Sequence, residues 1–273
     1  MPENPPEWQK DRPENRPQER SQENARIAPP EELASLIHSS SPEVLRAVME
    51  NPVFDEELLC LMLQRRDLPS EMLEEVGRRR QFLKSQRVKR LLALHPHTPR
   101  LISLRLLRDL YLMDLVQVTL TPGVPAELRR NAEEQVIARL PQLPLGQKIT
   151  LARRGPGRVA GALLADGHAN ILEVVLNNAN LTEAQVLKAL ARDKLSPNVV
   201  RAVSQHPKWS HTYNVRLALV RHPATSLSTV LSYLPELTVS DLRELVAPGI
   251  VPESLRKYLQ AEIHRRVQNR GRV

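Results

Sequence analysis

Two stretches of this chain read Val88-Lys-Arg-Leu-Leu-Ala-Leu-His-Pro-His-Thr98 and Val215-Arg-Leu-Ala-Leu-Val-Arg-His-Pro-Ala-Thr225. They lie 127 residues apart, and sliding the chain against itself by that distance pairs residues 44–140 with 171–267 without a gap. More than twenty pairs are identical, among them Leu45/Leu172, Asn51/Asn178, Val76/Val203, Leu107/Leu234 and Pro125/Pro252. An ungapped register requires every turn to keep its length, as expected where neighbouring helices stack in a fixed geometry. The sequence therefore predicts a duplicated unit.

From residue 31 onward, apolar residues recur at helical spacing, with short interruptions between the runs. Runs of alternating or β-branched residues that would indicate strands are missing from the sequence. Several runs follow a Ser, Thr or Asp whose side chain can accept a free amide of the first helical turn, namely Ser41, Asp55, Thr98, Thr182 and Ser196. We predict an all-α chain of about 16 short helices.

A weaker period of about 44 residues relates Asn51-Pro52 to His95-Pro96. Helical pairs that recur at about 40 residues are typical of an α-solenoid, in which each unit covers the apolar face of the next. The predicted organisation is a disordered Pro-rich charged leader (1–30), a first helical unit (31–157), a second helical unit (158–267) and a basic tail (268–273). The leader has seven prolines, one aromatic residue (Trp8) and almost no aliphatic residues, a composition that favours disorder.

The two repeated stretches resemble the bacterial leucine-rich repeat variant, in which a Val-Arg-x-x-[Val/Leu]-Ala-x-[Asn/His]-Pro-x-Thr-Pro core recurs in HEAT-like helical arrays. Residues 50–52, Glu-Asn-Pro, match this core more weakly. The resemblance implies a HEAT-like fold and does not imply an activity. Some members of the variant family carry an iron–sulfur cluster held by several cysteines, and the single Cys60 does not match that feature.

Cys60 is the only cysteine, and it lies in the apolar run 58–63. A single thiol excludes an internal disulfide, and the histidines lack carboxylate or thiolate partners at metal-ligand spacing. The N-terminal sequence has no cationic segment followed by an apolar one, and no apolar run reaches the roughly 18 to 20 residues of a membrane span. We therefore expect a cytoplasmic protein with no metal, cofactor or membrane partner.

Three repeated pairs are interpreted as structural, namely His95/His222, Asp114/Asp241 and Phe82/Trp209. A histidine that ends an apolar helix before proline can bond a terminal carbonyl, and a carboxylate is favoured at a helix start. The chain has no nucleophile-elbow, phosphate-loop or zinc-protease motif, so we expect no enzyme. Some HEAT-like solenoids act as DNA glycosylases, which need an aromatic-lined pocket with an acid. No such pocket can be assembled from this sequence, so glycosylase activity ranks third among the alternatives.

The formal net charge is +8, and the stretches 77–107 and 135–165 contain no acidic residue. The basic residues predicted to bind an anionic partner are Arg78, Arg79, Arg80, Lys84, Arg87, Lys89, Arg90, Arg153, Arg154 and Arg158. In the first stretch only Lys89 has a basic counterpart in the second copy, so the duplicated fold is not expected to require these charges. If both stretches face one groove, they suit phosphate or an acidic peptide. The alternative is a solvated surface that neutralises nearby carboxylates.

These observations favour a non-catalytic scaffold that binds a protein or peptide partner through a curved helical surface. Under this hypothesis we expect a groove lined by residues that differ between the two copies. The alternative is nucleic-acid binding through the phosphate backbone, which the sequence pI near 10.0 and the acid-free stretches favour.

Overall fold

The computed structural model describes residues 16–192 and 194–270, with side chains described for residues 21–192 and 194–268. Over these residues the chain forms eighteen α-helices and no strand. The predicted all-α class is confirmed, with slightly more helices than expected. None of the described helices combines the length and the apolar character needed to cross a membrane.

The chain divides into two compact units, one ending at Gln135 and the other beginning at Val136. The helices that begin in the first unit are α1 (Arg16–Ile27), α2 (Pro30–Leu36), α3 (Pro42–Glu50), α4 (Glu56–Met62), α5 (Ser70–Arg78), α6 (Gln86–Leu94), α7 (Arg100–Asp109), α8 (Leu112–Leu120) and α9 (Ala126–Arg139). Those of the second unit are α10 (Leu145–Arg154), α11 (Gly157–Asp166), α12 (Ala169–Leu176), α13 (Glu183–Leu190), α14 (Pro197–Gln205), α15 (Tyr213–Arg221), α16 (Leu227–Tyr233), α17 (Val239–Leu245) and α18 (Glu253–Arg270).

The helices recur with the spacing that the sequence predicts. Each of α11 to α18 begins 127 residues after its counterpart among α2 to α9, and α10 ends 127 residues after α1. Within each unit alternate helices pack side by side. In the first unit α2 contacts α4, and α4 contacts α6; in the second, α11 contacts α13, and α13 contacts α15. Helices at equivalent positions therefore have equivalent neighbours.

Local capping chemistry sets most of the predicted helix starts. The side chains of Ser41, Asp55 and Ser196 each accept an amide of the first helical turn. Thr182 and Gln185 form a capping box at the start of α13. These four predicted caps are confirmed.

The prediction that Thr98 caps the helix after it is wrong. Its hydroxyl donates a hydrogen bond of 2.7 Å to the carbonyl of Leu92, near the end of α6. Thr225 makes the equivalent bond of 2.6 Å to Leu219. Pro99 is the residue before α7 and makes no side-chain cap. The threonine therefore adds a second donor to a carbonyl in the last turn of the preceding helix, which also accepts the amide of His95 or His222.

The 44-residue period corresponds to a turn that follows a helix. The side-chain oxygens of Asn51 and Asn178 accept the amide two residues further on, at 2.9 and 2.7 Å. The Nδ1 atoms of His95, His206 and His222 accept the amide at the same offset, at 3.2, 3.3 and 3.1 Å. An acceptor side chain at this position closes the turn in place of a backbone carbonyl. The repeated asparagines Asn51 and Asn178 and the His-Pro pairs are thus explained by turn geometry.

The structure differs from the predicted disorder of residues 1–30 in the part from residue 16 onward. Helix α1 packs against α3, and Ala25 and Ala28 are buried. Because α1 buries such small side chains, its sequence lacks the apolar stripe by which helices are recognised. Residues 1–15, including Trp8, lie outside the described residues.

The predicted unit bounds differ from the structure at two places. Helix α10 is the counterpart of α1 and belongs to the second unit, so the predicted boundary between residues 157 and 158 falls one helix too late. Helix α18 continues to Arg270, beyond the predicted end at 267. Residues 271–273 of the predicted basic tail lie outside the described residues.

Candidate functional site

Side chains from later helices satisfy the C-terminal carbonyls of earlier ones in both units. Asn51 Nδ2 donates to the carbonyls of Ala25 and Ala28, each at 3.0 Å. Asn178 Nδ2 makes the equivalent pair of bonds at the end of α10, at 2.7 and 3.2 Å. Both asparagines are buried. The first of these connections therefore uses the same residue in both copies.

The next connection uses different residues in the two units. Arg79 Nη1 donates to the carbonyl of Met49 in the last turn of α3, at 3.1 Å. The equivalent carbonyl in the second unit belongs to Leu176, and it accepts a bond of 2.9 Å from Trp209 Nε1. The predicted role of Trp209 as a packing anchor is confirmed, since the side chain is 2% exposed. Sequence reasoning missed its hydrogen bond.

A third hydrogen bond between helices also uses a different side chain in each unit. Arg105 Nη2 donates to the carbonyl of Gly77 in the last turn of α5, at 2.8 Å. In the second unit the equivalent carbonyl of Ser204 accepts a bond of 3.0 Å from the Tyr233 hydroxyl. Arginines without a basic counterpart can therefore be structural, because another donor occupies their place in the second copy. Lack of repetition alone does not identify a functional residue.

Three of the predicted basic residues in the first unit have partners within it. Arg78 pairs with Glu74 at 2.7 Å, and Arg79 pairs with Glu75. Arg90 Nη1 lies 3.0 Å from Asp114 Oδ1, and so joins α6 to α8. The remaining four are Arg80, Lys84 and Arg87, which are exposed, and Lys89, which is half-buried. No ion pair joins these four to a carboxylate among the residues that the structure describes.

The predicted basic residues of the second stretch belong to the second unit. Arg153 and Arg154 are exposed in the last turn of α10, and Arg158 is half-buried at the start of α11. The other seven predicted residues belong to the first unit. A single anion-binding groove built from both stretches stays a prediction.

The repeated histidines and the cysteine occupy structural positions. His95 Nε2 bonds the carbonyl of Arg65 at 2.6 Å, in the loop that follows α4 and not in the last turn of a helix as predicted. Burial lowers the pKa of His95, and burial raises the pKa of the Cys60 thiol.

Hydrogen bonds from Thr238 and Tyr213 lower the pKa of Asp241 in the first turn of α17. Within residues 16–192 and 194–270 no three His, Cys, Asp or Glu side chains are grouped to hold a metal ion.

The turn histidines are expected to make the stability of the fold sensitive to mild acid. Burial lowers the pKa of His206 and of His222 below the ordinary value of 6.5. Such a group takes up a proton on unfolding, so its contribution is complete above about pH 6.5 and is lost as pH falls through the folded pKa. Thermal unfolding followed by circular dichroism should give a lower Tm at about pH 5.5 than at about pH 7.

The double variant His206→Asn with His222→Asn is expected to weaken this pH dependence. Asparagine keeps an acceptor at both turns, as Asn51 does in the first unit. The wild-type chain, measured in the same buffers, is the reference. The same fall in Tm in the double variant and in the wild type would contradict the assignment.

An open groove of about 610 Å³ lies between α13 and α15 in the second unit. Its lining residues are Leu187, Leu190, Ala191, Arg192, Asn214, Leu217, Ala218, Arg221, His222 and Pro223. Leu187, Leu217 and Ala218 are only half-buried, although they lie between two packed helices. The groove therefore presents apolar side chains to solvent.

Longer polar side chains occupy the equivalent surface of the first unit. Gln64, Arg87 and Arg90 stand where the second unit has Ala191, Asn214 and Leu217. The Arg90 side chain extends from α6 to Asp114 on α8. In the second unit Tyr213 bonds the equivalent Asp241, so no side chain from position 217 is needed for that contact. The groove is thus open where Ala191, Asn214 and Leu217 replace longer side chains, whereas other lining residues such as Leu190 and Pro223 repeat those of the first unit.

Two arginines lie at one end of this groove, where α13 and α15 terminate. Arg192 is exposed and follows α13, and no ion pair joins it to a described carboxylate. Arg221 pairs with Glu244 at 2.9 Å, and 39% of its side chain is exposed. At the other end Asn214 Nδ2 donates to Glu183 at 2.8 Å. The apolar floor is therefore flanked by positive charge at the C-terminal ends of the two helices.

The resemblance to the leucine-rich repeat variant rests on residues 88–98 and 215–225 and stays a prediction. No protein-family model, curated protein or solved structure matches this chain.

Proposed function

We propose that this chain is a non-catalytic α-solenoid protein of the HEAT-like type that binds a protein or peptide partner. The groove between α13 and α15 is its binding site in this proposal. One observation carries it: Leu217 lies half-exposed in the groove at the position where the first unit has Arg90, and Ala191 stands where the first unit has Gln64. Exposed apolar surface rimmed by polar residues is typical of recognition sites.

The chemistry of the groove favours one kind of segment. Leu187, Leu217 and Ala218 suit aliphatic or aromatic side chains of a helix or an extended strand. Arg192 and Arg221 suit carboxylates at one end of that segment, because a guanidinium binds a carboxylate with two parallel hydrogen bonds. The proposed partner is therefore a peptide segment with apolar residues followed by acidic ones.

Nucleic-acid binding ranks second. Arg80, Lys84 and Arg87 in the first unit are exposed cations without a described ion pair, which supports it. Arg79 and Arg105 are engaged with backbone carbonyls of neighbouring helices, which removes them from the set available to phosphate. The structure thus supports a smaller cationic surface than the sequence predicts.

The test of peptide binding is the variant Leu217→Arg. It places the first unit's Arg90 at the equivalent position, so the helix is expected to accept it. Peptides enriched from a random 12-residue display library on the wild-type chain would be measured by fluorescence polarisation. We expect acidic, apolar sequences, and Leu217→Arg should raise their Kd about tenfold or more, because a charge then occupies the apolar floor.

The matched control is Ser232→Arg, which adds the same charge at the position of Arg105 on α16, outside the groove. It should leave the Kd of the selected peptides unchanged. Peptides that bind the Leu217→Arg variant as tightly as the wild type would contradict the groove assignment. A chain that enriches no peptide but retains single-stranded DNA until salt is raised would support the alternative instead.

A further inference from the structure

A second concave site lies within the first unit and shares no residue with the groove. This cavity, of about 430 Å³, lies between the end of α6, the start of α7 and the turn from α8 to α9. Its apolar wall includes Ala93, Leu94, Leu104, Val124 and Leu128. The volume is within the range of sites that hold small organic ligands.

Polar side chains of the cavity distinguish the first unit from the second. The cavity is lined by Arg66, Arg100, Ser103, Thr121 and Glu127, whose counterparts in the second copy are Asp193, Leu227, Val230, Pro248 and Ser254. The surrounding turn residues repeat, as His95/His222, Thr98/Thr225 and Pro125/Pro252 show. The shared architecture therefore carries a polar set that only the first copy has.

Two of these polar groups have no structural partner. Ser103 is 5% exposed, and no hydrogen bond joins its hydroxyl to a described residue. Arg66 is exposed at the cavity, with no ion pair to a carboxylate among the described residues. By contrast, Arg100 pairs with Glu127, and the Thr121 hydroxyl donates to a helix carbonyl. The Ser103 hydroxyl and the Arg66 guanidinium are therefore both available to a ligand that enters the cavity.

We propose that this cavity binds a small aliphatic carboxylate. Ala93, Leu104 and Leu128 contact the hydrocarbon body in this proposal, Arg66 supplies the positive charge for the carboxylate, and Ser103 supplies a hydrogen-bond donor. This site is independent of the peptide groove and requires no step of catalysis.

The test uses octanoate as the probe and isothermal titration calorimetry on the full chain. We expect one octanoate per chain and a Kd about tenfold weaker for 1-octanol, which lacks the charge. Arg66→Asp, which introduces the residue of the second copy, should weaken octanoate about tenfold. Ala93→Val, which copies Val220, should weaken both probes by reducing the space inside the cavity.

Arg46→Glu is the control, since it also replaces an exposed arginine by the acidic residue of the second copy, Glu173, but lies outside the cavity. It should bind octanoate as the wild type does. Circular dichroism checks that each variant keeps its helices. The proposal is overturned if octanoate gives no heat at millimolar concentration, if Arg66→Asp and Ala93→Val bind it unchanged, or if 1-octanol binds equally well.

Discussion

Replacing Asn51 with alanine is expected to lower the free energy of unfolding by about 3 kcal/mol. The Asn51 amide group bonds the carbonyls of Ala25 and Ala28 and the amide of Val53, and the residue is 5% exposed. Alanine leaves these three backbone groups without their partner, and each buried unpaired group costs about 1 to 3 kcal/mol before any water relieves it. Urea unfolding followed by circular dichroism measures the loss.

Hydrogen exchange of α1 provides a local readout of the same contact. Residues 16–27 should exchange faster in Asn51→Ala, because the end of α1 is no longer joined to the end of α3. Asn51→Asp should be at least as destabilising, since it keeps the size of the side chain but presents an oxygen to two carbonyls. The half-buried Asn131 bonds the nearby Glu127 carbonyl on its own helix, so Asn131→Ala is the control. A loss below about 1 kcal/mol in Asn51→Ala would show that the contact is not a stabilising one.

The spacing of the helices could be predicted because it depends on local and repeated signals. Ser41, Asp55 and Ser196 mark helix starts through their own side chains, and the 127-residue register fixes the distance between equivalent starts. Leu45/Leu172 and Val48/Val175 are buried in both copies, as their helical spacing predicts. Such signals are present in each segment of sequence before any long-range contact is known.

Other features depend on contacts that no local pattern shows. Helix α1 buries alanines, so its composition resembles that of a disordered segment although Asn51 holds its end. Arg79 and Trp209 differ in chemistry and in register, yet they satisfy equivalent carbonyls. For this reason the absence of a basic counterpart at position 206 did not reveal that Arg79 bonds the Met49 carbonyl.

The candidate groove was expected only in general terms, as a surface lined by residues that differ between the copies. Leu217 in a helical apolar run is indistinguishable from a core residue by periodicity alone. Its exposure depends on the second unit's use of Tyr213, rather than a residue at position 217, to contact Asp241. To predict that Leu217 is exposed, one must therefore know how α15 packs against its neighbours.

Replacing Trp209 with phenylalanine is expected to lower the free energy of unfolding by about 2 kcal/mol. Phenylalanine is the residue of the first unit at this position, where Phe82 is also buried. In the second unit, however, no arginine stands at the position of Arg79, since that position is His206. The smaller ring therefore leaves a space and removes the donor to the Leu176 carbonyl.

Restoring the first unit's chemistry should recover much of this loss. Residues 206–209, His-Pro-Lys-Trp, would be replaced by the Arg-Arg-Gln-Phe of residues 79–82. The new arginine at position 206 is then placed to donate to Leu176, as Arg79 donates to Met49. We expect this four-residue transplant to be at least about 1 kcal/mol more stable than Trp209→Phe in urea unfolding. If the transplant is as unstable as Trp209→Phe or less stable, then Arg79 and Trp209 do not perform the same task, and Arg79 returns to the set of candidate binding residues.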